Sequence, residues 1–291
     1  MERIIGAIDI GSNTIKLRIN KVENSKKNIT NHRLFYKKIP IRLGEDVFNY
    51  GYIGEEKGKE LIETFKYIKS VFLLFNVKEY KAYATSSFRE AINGKEISNT
   101  ILNTLNIYIE IINETKEADL LYNVGISDKL IDRDKNYMLV DTGGGNTKII
   151  IYSNGEKNCS RTFKIGTVRL LNNKVNPIEY LLLEIWIKNM CKSYHISSII
   201  ATGGNINDIN SIISINFQKE INYETLMDLF NALKDKSLDE IMSEFNINFY
   251  RADIILNALR IFLKVSEISK VVDFIIPDIE LIDGIIQEMT T

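Results

Sequence analysis

The stretch that most constrains this chain is Val140-Asp141-Thr142-Gly143-Gly144-Gly145-Asn146-Thr147-Lys148. An apolar run from Tyr137 to Val140 enters it, and a second from Ile149 to Tyr152 leaves it. That pattern predicts strand, glycine turn, strand. Three consecutive glycines let backbone N–H groups approach a ligand that side chains would otherwise hold off, and a concave array of N–H groups suits phosphate. Asp141, ending the first strand, suits a hydrated divalent cation beside that phosphate. One copy would be weak evidence, because glycines also make plain hairpins.

Ala7-Ile8-Asp9-Ile10-Gly11-Ser12-Asn13-Thr14-Ile15-Lys16-Leu17 repeats the plan. The two stretches do not match residue for residue. They share an Asp that ends one strand and a hydroxyl and amide turn that starts the next. Two such hairpins predict a duplicated domain with a phosphate-binding cleft between the halves. The arrangement resembles the actin-like ATPase superfold. The expected fold is therefore α/β: two ribonuclease-H-like domains with a central cleft. The expected boundaries are 1–122 and 123–291, with a closing helix at about 279–291 that packs back on the first domain.

A chain of 291 residues with 45% hydrophobic content can fill two cores. The net charge of −1, from 37 basic and 38 acidic residues, gives no reason to expect nucleic acid or an anionic membrane as partner. No apolar run reaches the roughly 18 residues of a membrane span. The acidic N-terminus does not read as a signal peptide, so a cytoplasmic location is expected. Cys159 and Cys191 lack metal-ligand spacing and are expected to be reduced and structural. Asn28-Ile-Thr and Asn113-Glu-Thr match a glycosylation pattern by chance on this reading, and the Lys26/Lys27 pair is a solvated turn.

Along the chain, Leu34–Ile41 reads as a third strand and Glu55–Phe75 as an amphipathic helix on Leu61, Ile62, Phe65, Ile68, Val71 and Phe72. A strand ending in Thr85-Ser86-Ser87, followed by Arg89, places hydroxyls and a guanidinium where open α/β sheets bind ligands. A helix cap with a solvated arginine is the alternative. Arg42 is expected either to face the cleft or to lie in an exposed loop. Thr115 can cap a helix carrying Glu114 and Glu117. Thr162–Leu170 is expected to continue the second half's meander, with Gly166 and Thr167 near a phosphate. Pro177–Tyr194 and Arg251–Val265 read as helices, and Ser197–Ala201 as a strand leading to a second glycine turn at Gly203-Gly204. Tyr108–Ile112 and Val272–Ile276 read as strands, and Ile279–Met289 as the closing helix. His32 and His195 are isolated and receive no catalytic role.

Seven motifs in order give the chain a family resemblance. They are Ala7–Thr14, Ala84–Ala91, Glu117–Tyr122, Val140–Thr147, Ile165–Leu170, Ala201–Asn205 and Arg251–Ile255. Together they resemble the exopolyphosphatase/guanosine pentaphosphate phosphohydrolase (Ppx/GppA) family, in its short two-domain form. The resemblance implies hydrolysis of a terminal phosphoanhydride of inorganic polyphosphate or guanosine pentaphosphate, with Mg²⁺ or another divalent cation. It implies Glu117 as the base that activates water and Asp141 as a second catalytic residue. Asp141 and Asp9 would hold the metal. Ser12, Asn13, Thr14, Arg89, Gly143, Gly144, Gly145, Asn146, Thr147, Lys148, Gly203 and Gly204 would bind phosphate. The implied partners are polyphosphate or a guanosine polyphosphate and, since the family commonly forms homodimers, a second copy of the chain.

Two positions depart from the family pattern. Lys148 replaces the Glu of Gly-Gly-Gly-Ser-Thr-Glu, and Lys116 replaces the first Glu of Ser-Gly-x-Glu-Glu-Ala. Each exchanges a carboxylate for an ammonium near the expected metal. At about 5 Å and an effective dielectric of about 20, each unit of charge is worth roughly 3 kcal/mol. The alternative function is therefore a polyphosphate- or (p)ppGpp-binding protein with weak or no hydrolysis.

Overall fold

The computed structural model describes residues 2–24, 29–125, 132–213 and 219–290; Lys26, Lys27 and Asn28 lie outside them. The chain forms two compact units, residues 1–124 with 281–291, and residues 125–280.

The first unit opens with β1 (Glu2–Ile10), β2 (Thr14–Asn24) and β3 (Ile29–Pro40), then α1 (Leu43–Tyr50), α2 (Glu55–Leu74) and β4 (Glu79–Ala84). It continues with α3 (Ser86–Glu90), α4 (Gly94–Leu105), β5 (Glu110–Ile111) and α5 (Glu114–Gly125). Its five strands lie in the order β3-β2-β1-β4-β5. The meander β1–β2–β3 is antiparallel, and β4 then joins β1 in parallel. Because β1 is central, Ile5 to Ile10 are buried without alternation, as a strand covered on both faces requires. Helix α2 buries Leu61, Phe65, Ile68, Val71 and Phe72, the stripe predicted by spacing; Ile62 is half-buried.

The second unit contains β6 (Tyr137–Thr142), β7 (Thr147–Ser153), β8 (Glu156–Phe163), α6 (Thr167–Leu171), α7 (Pro177–Tyr194) and β9 (Ser198–Thr202). It is completed by α8 (Gly204–Ile213), β10 (Glu220–Asn222), α9 (Tyr223–Leu233), α10 (Leu238–Phe245), α11 (Phe249–Ser269) and β11 (Asp273–Ile275). Its sheet runs β10-β11-β9-β6-β7-β8. Read from β8, the order repeats that of the first unit, with β10 added antiparallel at the edge. Both units are thus ribonuclease-H-like, with mixed sheets. Trp186 on α7 packs edge-on against Phe163 with ring centroids 5.9 Å apart, a packing role. The last helix, α12 (Leu281–Thr290), belongs to the first unit and packs on β1 and β2.

Several expected elements differ in extent, α11 by six added residues, and three of them are instructive. β3 begins at Ile29 rather than Leu34, because its polar first residues are held by ladder bonds to β2 at an edge and need no buried face. β5 is only two residues long, another edge strand. The segment expected as strand through Leu170 leaves the sheet at Phe163 and turns into α6, for a reason found in the glycine turn.

Candidate functional site

In the second unit, β6 and β7 pair in register from Tyr137 opposite Tyr152 to Thr142 opposite Thr147, leaving Gly143–Asn146 as the turn. The Gly143 N–H donates to the Asn146 carbonyl at 2.9 Å and closes the turn. The turn's carbonyls are then taken by the start of α6. Thr167 N–H donates to Gly143 O at 3.0 Å, Val168 and Arg169 N–H donate to Gly144 O at 2.9 and 3.1 Å, and Arg169 Nε donates to Gly145 O at 2.9 Å. With the carbonyls so held, the N–H groups of Gly144, Gly145 and Asn146 have no acceptor among the described residues. Three adjacent backbone donors are thus left without a protein acceptor among those residues.

Gly166 explains why the chain leaves the sheet here. A Cβ on it would lie 2.3 Å from Gly145 C and 2.4 Å from Gly144 O, so only glycine lets α6 start against the turn. Gly166 and Thr167, expected near a phosphate, thus brace the turn. Thr147 is likewise structural: it is fully buried and its hydroxyl donates to Ile165 O at 2.7 Å.

The first unit repeats this construction. Gly11 N–H donates to Thr14 O at 3.1 Å. The Ser12 carbonyl accepts from Gly44 N–H at 2.8 Å, and the Asn13 carbonyl from Arg42 and Ile41 N–H at 3.0 and 3.3 Å, at the start of α1. Ser12 and Asn13 are buried, and Ser12 Oγ shares a 2.7 Å hydrogen bond with Ser86 Oγ. Arg42, for which an exposed loop was one alternative, is only 4% exposed; it adopts φ 58° and pairs with Glu45 at 2.8 Å.

Glu117 sits on the first turns of α5, 15% exposed at its side chain. Arg89 Nη1 donates to Glu117 Oε2 at 3.3 Å and to the Ile112 carbonyl at 2.8 Å, with Glu114 3.8 Å from Nη2. The arginine expected to hold phosphate therefore also orients the expected base. The cap of α5 is Asn113, whose Oδ1 accepts from Lys116 N–H at 2.8 Å; Thr115 is displaced from that role because the helix starts at Glu114.

Lys116, expected near a metal, is held by a carboxylate of its own unit. Its ammonium bonds the Glu288 carboxylate on α12, which also accepts from Tyr83 Oη at 2.6 Å and pairs with Lys81 at 2.8 Å. Burial raises the Glu288 pKa, but the bonds from Lys116, Lys81 and Tyr83 outweigh it and bring the carboxyl to about 2. Burial and then Glu288 push the Tyr83 phenol up. Glu288 stabilises the fold above its ordinary value of 4.5, and that contribution is lost as the pH falls from there towards 2. Urea unfolding of Glu288→Gln should show a loss of about 2 kcal/mol at neutral pH. The difference from the native protein should vanish in acid; a constant difference would remove the charge network as its cause.

The second glycine turn presses on Asp141. Gly203 has φ 93°, and a Cβ there would lie 2.4 Å from Asp141 Oδ1. Thr202 Oγ1 donates to the same oxygen at 3.4 Å, and Asn205 Nδ2 donates to the Thr142 carbonyl at 2.6 Å. Arg251, paired with Asp208 at 2.9 Å, and the buried Glu280 bound the space over Gly204. Arg169, Asn205, Arg251 and Glu280 received no site role from the sequence. Arg169, Asn205 and Arg251 carried a signal, as members of the recognised motifs; Glu280 carried none.

The donor set does not suit a resident divalent cation. Asp9 is paired with Lys16 at 3.2 Å, its cross-strand partner, and Asp141 stands opposite Lys148. Among the described residues no group of three or more His, Cys, Asp or Glu side chains is placed to hold a metal ion. Among them too, no helix is long and apolar enough to cross a membrane.

The profile of the Ppx/GppA phosphatase family matches residues 21–291. A bifunctional 3-dehydroquinate synthase/phosphatase of Fusobacterium nucleatum is 28% identical over 197 residues, 64% of this chain and 30% of that protein. A guanosine-5′-triphosphate,3′-diphosphate pyrophosphatase of Aeromonas hydrophila is 26% identical over 172 residues, 58% of this chain and 33% of that protein. The chain spans about a third of the length of these curated relatives. Among solved structures, an exopolyphosphatase from Cytophaga hutchinsonii superposes with a TM-score of 0.85 at 20% identity, covering 99% of this chain and 98% of its own. A Ppx/GppA family member from Aquifex aeolicus gives 0.76 at 22% identity, covering 99% and 98%. The duplicated sheets, the two braced turns and the profile match over nearly the whole length lead to one conclusion: the chain belongs to the Ppx/GppA phosphatase family.

Proposed function

We propose that this chain hydrolyses the terminal phosphoanhydride of inorganic polyphosphate or of a guanosine polyphosphate. The observation that carries the reading is the set of N–H groups at Gly144, Gly145 and Asn146, left to a ligand because α6 takes the turn's carbonyls. Such donors stabilise charge on phosphoryl oxygens and need no reorganisation during reaction. Glu117 takes the proton of a water whose oxygen attacks the terminal phosphorus. The bond from that phosphorus to its bridging oxygen breaks, releasing inorganic phosphate and a shortened chain. Arg89 holds Glu117 in position.

A second reading is a binding protein that cleaves slowly. Lys148, 3% exposed and opposite Asp141, favours it, since an ammonium stands where the family pattern has a carboxylate. Phosphate release from long-chain polyphosphate and from guanosine pentaphosphate, measured beside equilibrium binding of each, separates the readings. Release from either supports the hydrolase. Tight binding without release supports the binding protein, and neither binding nor release rejects both.

A further inference from the structure

Both hairpins place a lysine directly opposite the aspartate. Asp9 is opposite Lys16 on β2, and Asp141 is opposite Lys148 on β7, each as the next-to-last pair before the turn. Directly opposed residues of an antiparallel pair share a face of the sheet, with Cβ atoms about 4.5–5.5 Å apart. In the first unit the pair is formed at 3.2 Å, with side-chain exposures of 13% for Lys16 and 6% for Asp9. In the second, Lys148 is more deeply buried, at 3%. Burying an ammonium is costly unless the charge is compensated, and the register sets Asp141 directly opposite Lys148.

We infer that Lys16 and Lys148 stand in place of a divalent cation, so that the chain binds polyphosphate without metal and excludes metal from the hairpin aspartates. The inference rests on the phosphate-binding reading above. Mg²⁺ held by protein uses one or two bare carboxylates, with substrate phosphates and water filling its other positions. An ammonium in register with each aspartate neutralises that charge and repels a dication. It also remains a point charge of the kind that binds phosphate in other glycine-loop proteins. Lys148 lies two residues after Asn146, the last of the three N–H donors left without an acceptor among the described residues. The fold thus carries the positive charge as part of the chain, at a fixed place beside the donors.

Two titrations test this separately. Mn²⁺ alone, followed by electron paramagnetic resonance, should show no binding to the native protein up to about 1 mM, while Lys148→Glu should gain a site at least about tenfold tighter. Long-chain polyphosphate, followed by anisotropy of a labelled chain, should bind in EDTA within about threefold of its affinity in Mg²⁺, and Lys148→Met should weaken binding in EDTA by about tenfold. Should Lys148→Glu fail to fold, Lys16→Glu applies the same test at a more exposed position. Tight Mn²⁺ binding by the native protein that Asp141→Asn abolishes would overturn the inference. So would polyphosphate binding that collapses in EDTA, or a Lys148→Glu protein that folds and gains no Mn²⁺ site. Absence of polyphosphate binding in both buffers would reject the phosphoanhydride reading instead, and the Mn²⁺ titration would still decide the exclusion of metal.

Discussion

Glu117→Gln is expected to lower kcat for phosphate release from polyphosphate by about 10²–10⁴-fold, with affinity changed by less than about threefold. Glutamine keeps the volume of glutamate and one carbonyl oxygen to accept from Arg89 Nη1, so α5 and the arginine should remain in place. What it cannot do is take a proton from water. The loss should therefore fall on kcat and spare KM, since the interaction removed operates only on the way to the transition state. A variant within tenfold of native kcat would remove Glu117 as the base. A rise in KM with unchanged kcat would instead make it a group that positions substrate.

Gly166→Ala should be the most damaging single methyl group in the second unit. The new Cβ would lie 2.3 Å from Gly145 C, 2.4 Å from Gly144 O and 2.6 Å from Asn146 N. All three are backbone atoms, so no side chain can rotate out of the way. Either α6 withdraws, losing the bonds from Thr167, Val168 and Arg169 to the turn, or the turn moves and its open N–H groups are displaced. A stability loss of about 2–4 kcal/mol is expected by chemical denaturation, with at least about tenfold weaker polyphosphate binding in the folded fraction. Gly58→Ala is the control. It lies in α2 with nothing within 4 Å of its Cβ position, and should be neutral or stabilise by about 0.5–1 kcal/mol. Equal effects at both glycines would mean that chain entropy, not the packing of the turn, governs the loss.

What could be read along the chain was what is local. The two hairpins were legible because an apolar run, an Asp, a four-residue turn and a second apolar run are contiguous, and the turn length then sets the register. The face of α2 was legible because helical period and burial agree over 20 residues. The end of β8 was not, because Thr162–Leu170 continues an acceptable strand pattern and only the bonds to Gly143 and Gly144 draw it into a helix. Lys116 was placed by its neighbours in the motif, yet its carboxylate partner lies 172 residues away on α12. The Asn113 cap was missed by two residues, the usual fate of a helix start where several capping residues adjoin.

The sequence by itself determined the duplicated fold and the family, because hydrophobic period and glycine turns act over a few neighbouring residues. Tertiary structure alone decided which groups the turns leave open. The carbonyls of Gly143, Gly144 and Gly145 are occupied by a helix more than twenty residues on; Arg89 meets Glu117 across a 28-residue separation; and Gly203 closes on Asp141 from a different strand end. A hydrogen-bonding group's availability depends on everything packed around it, and close packing brings together residues that no local pattern connects.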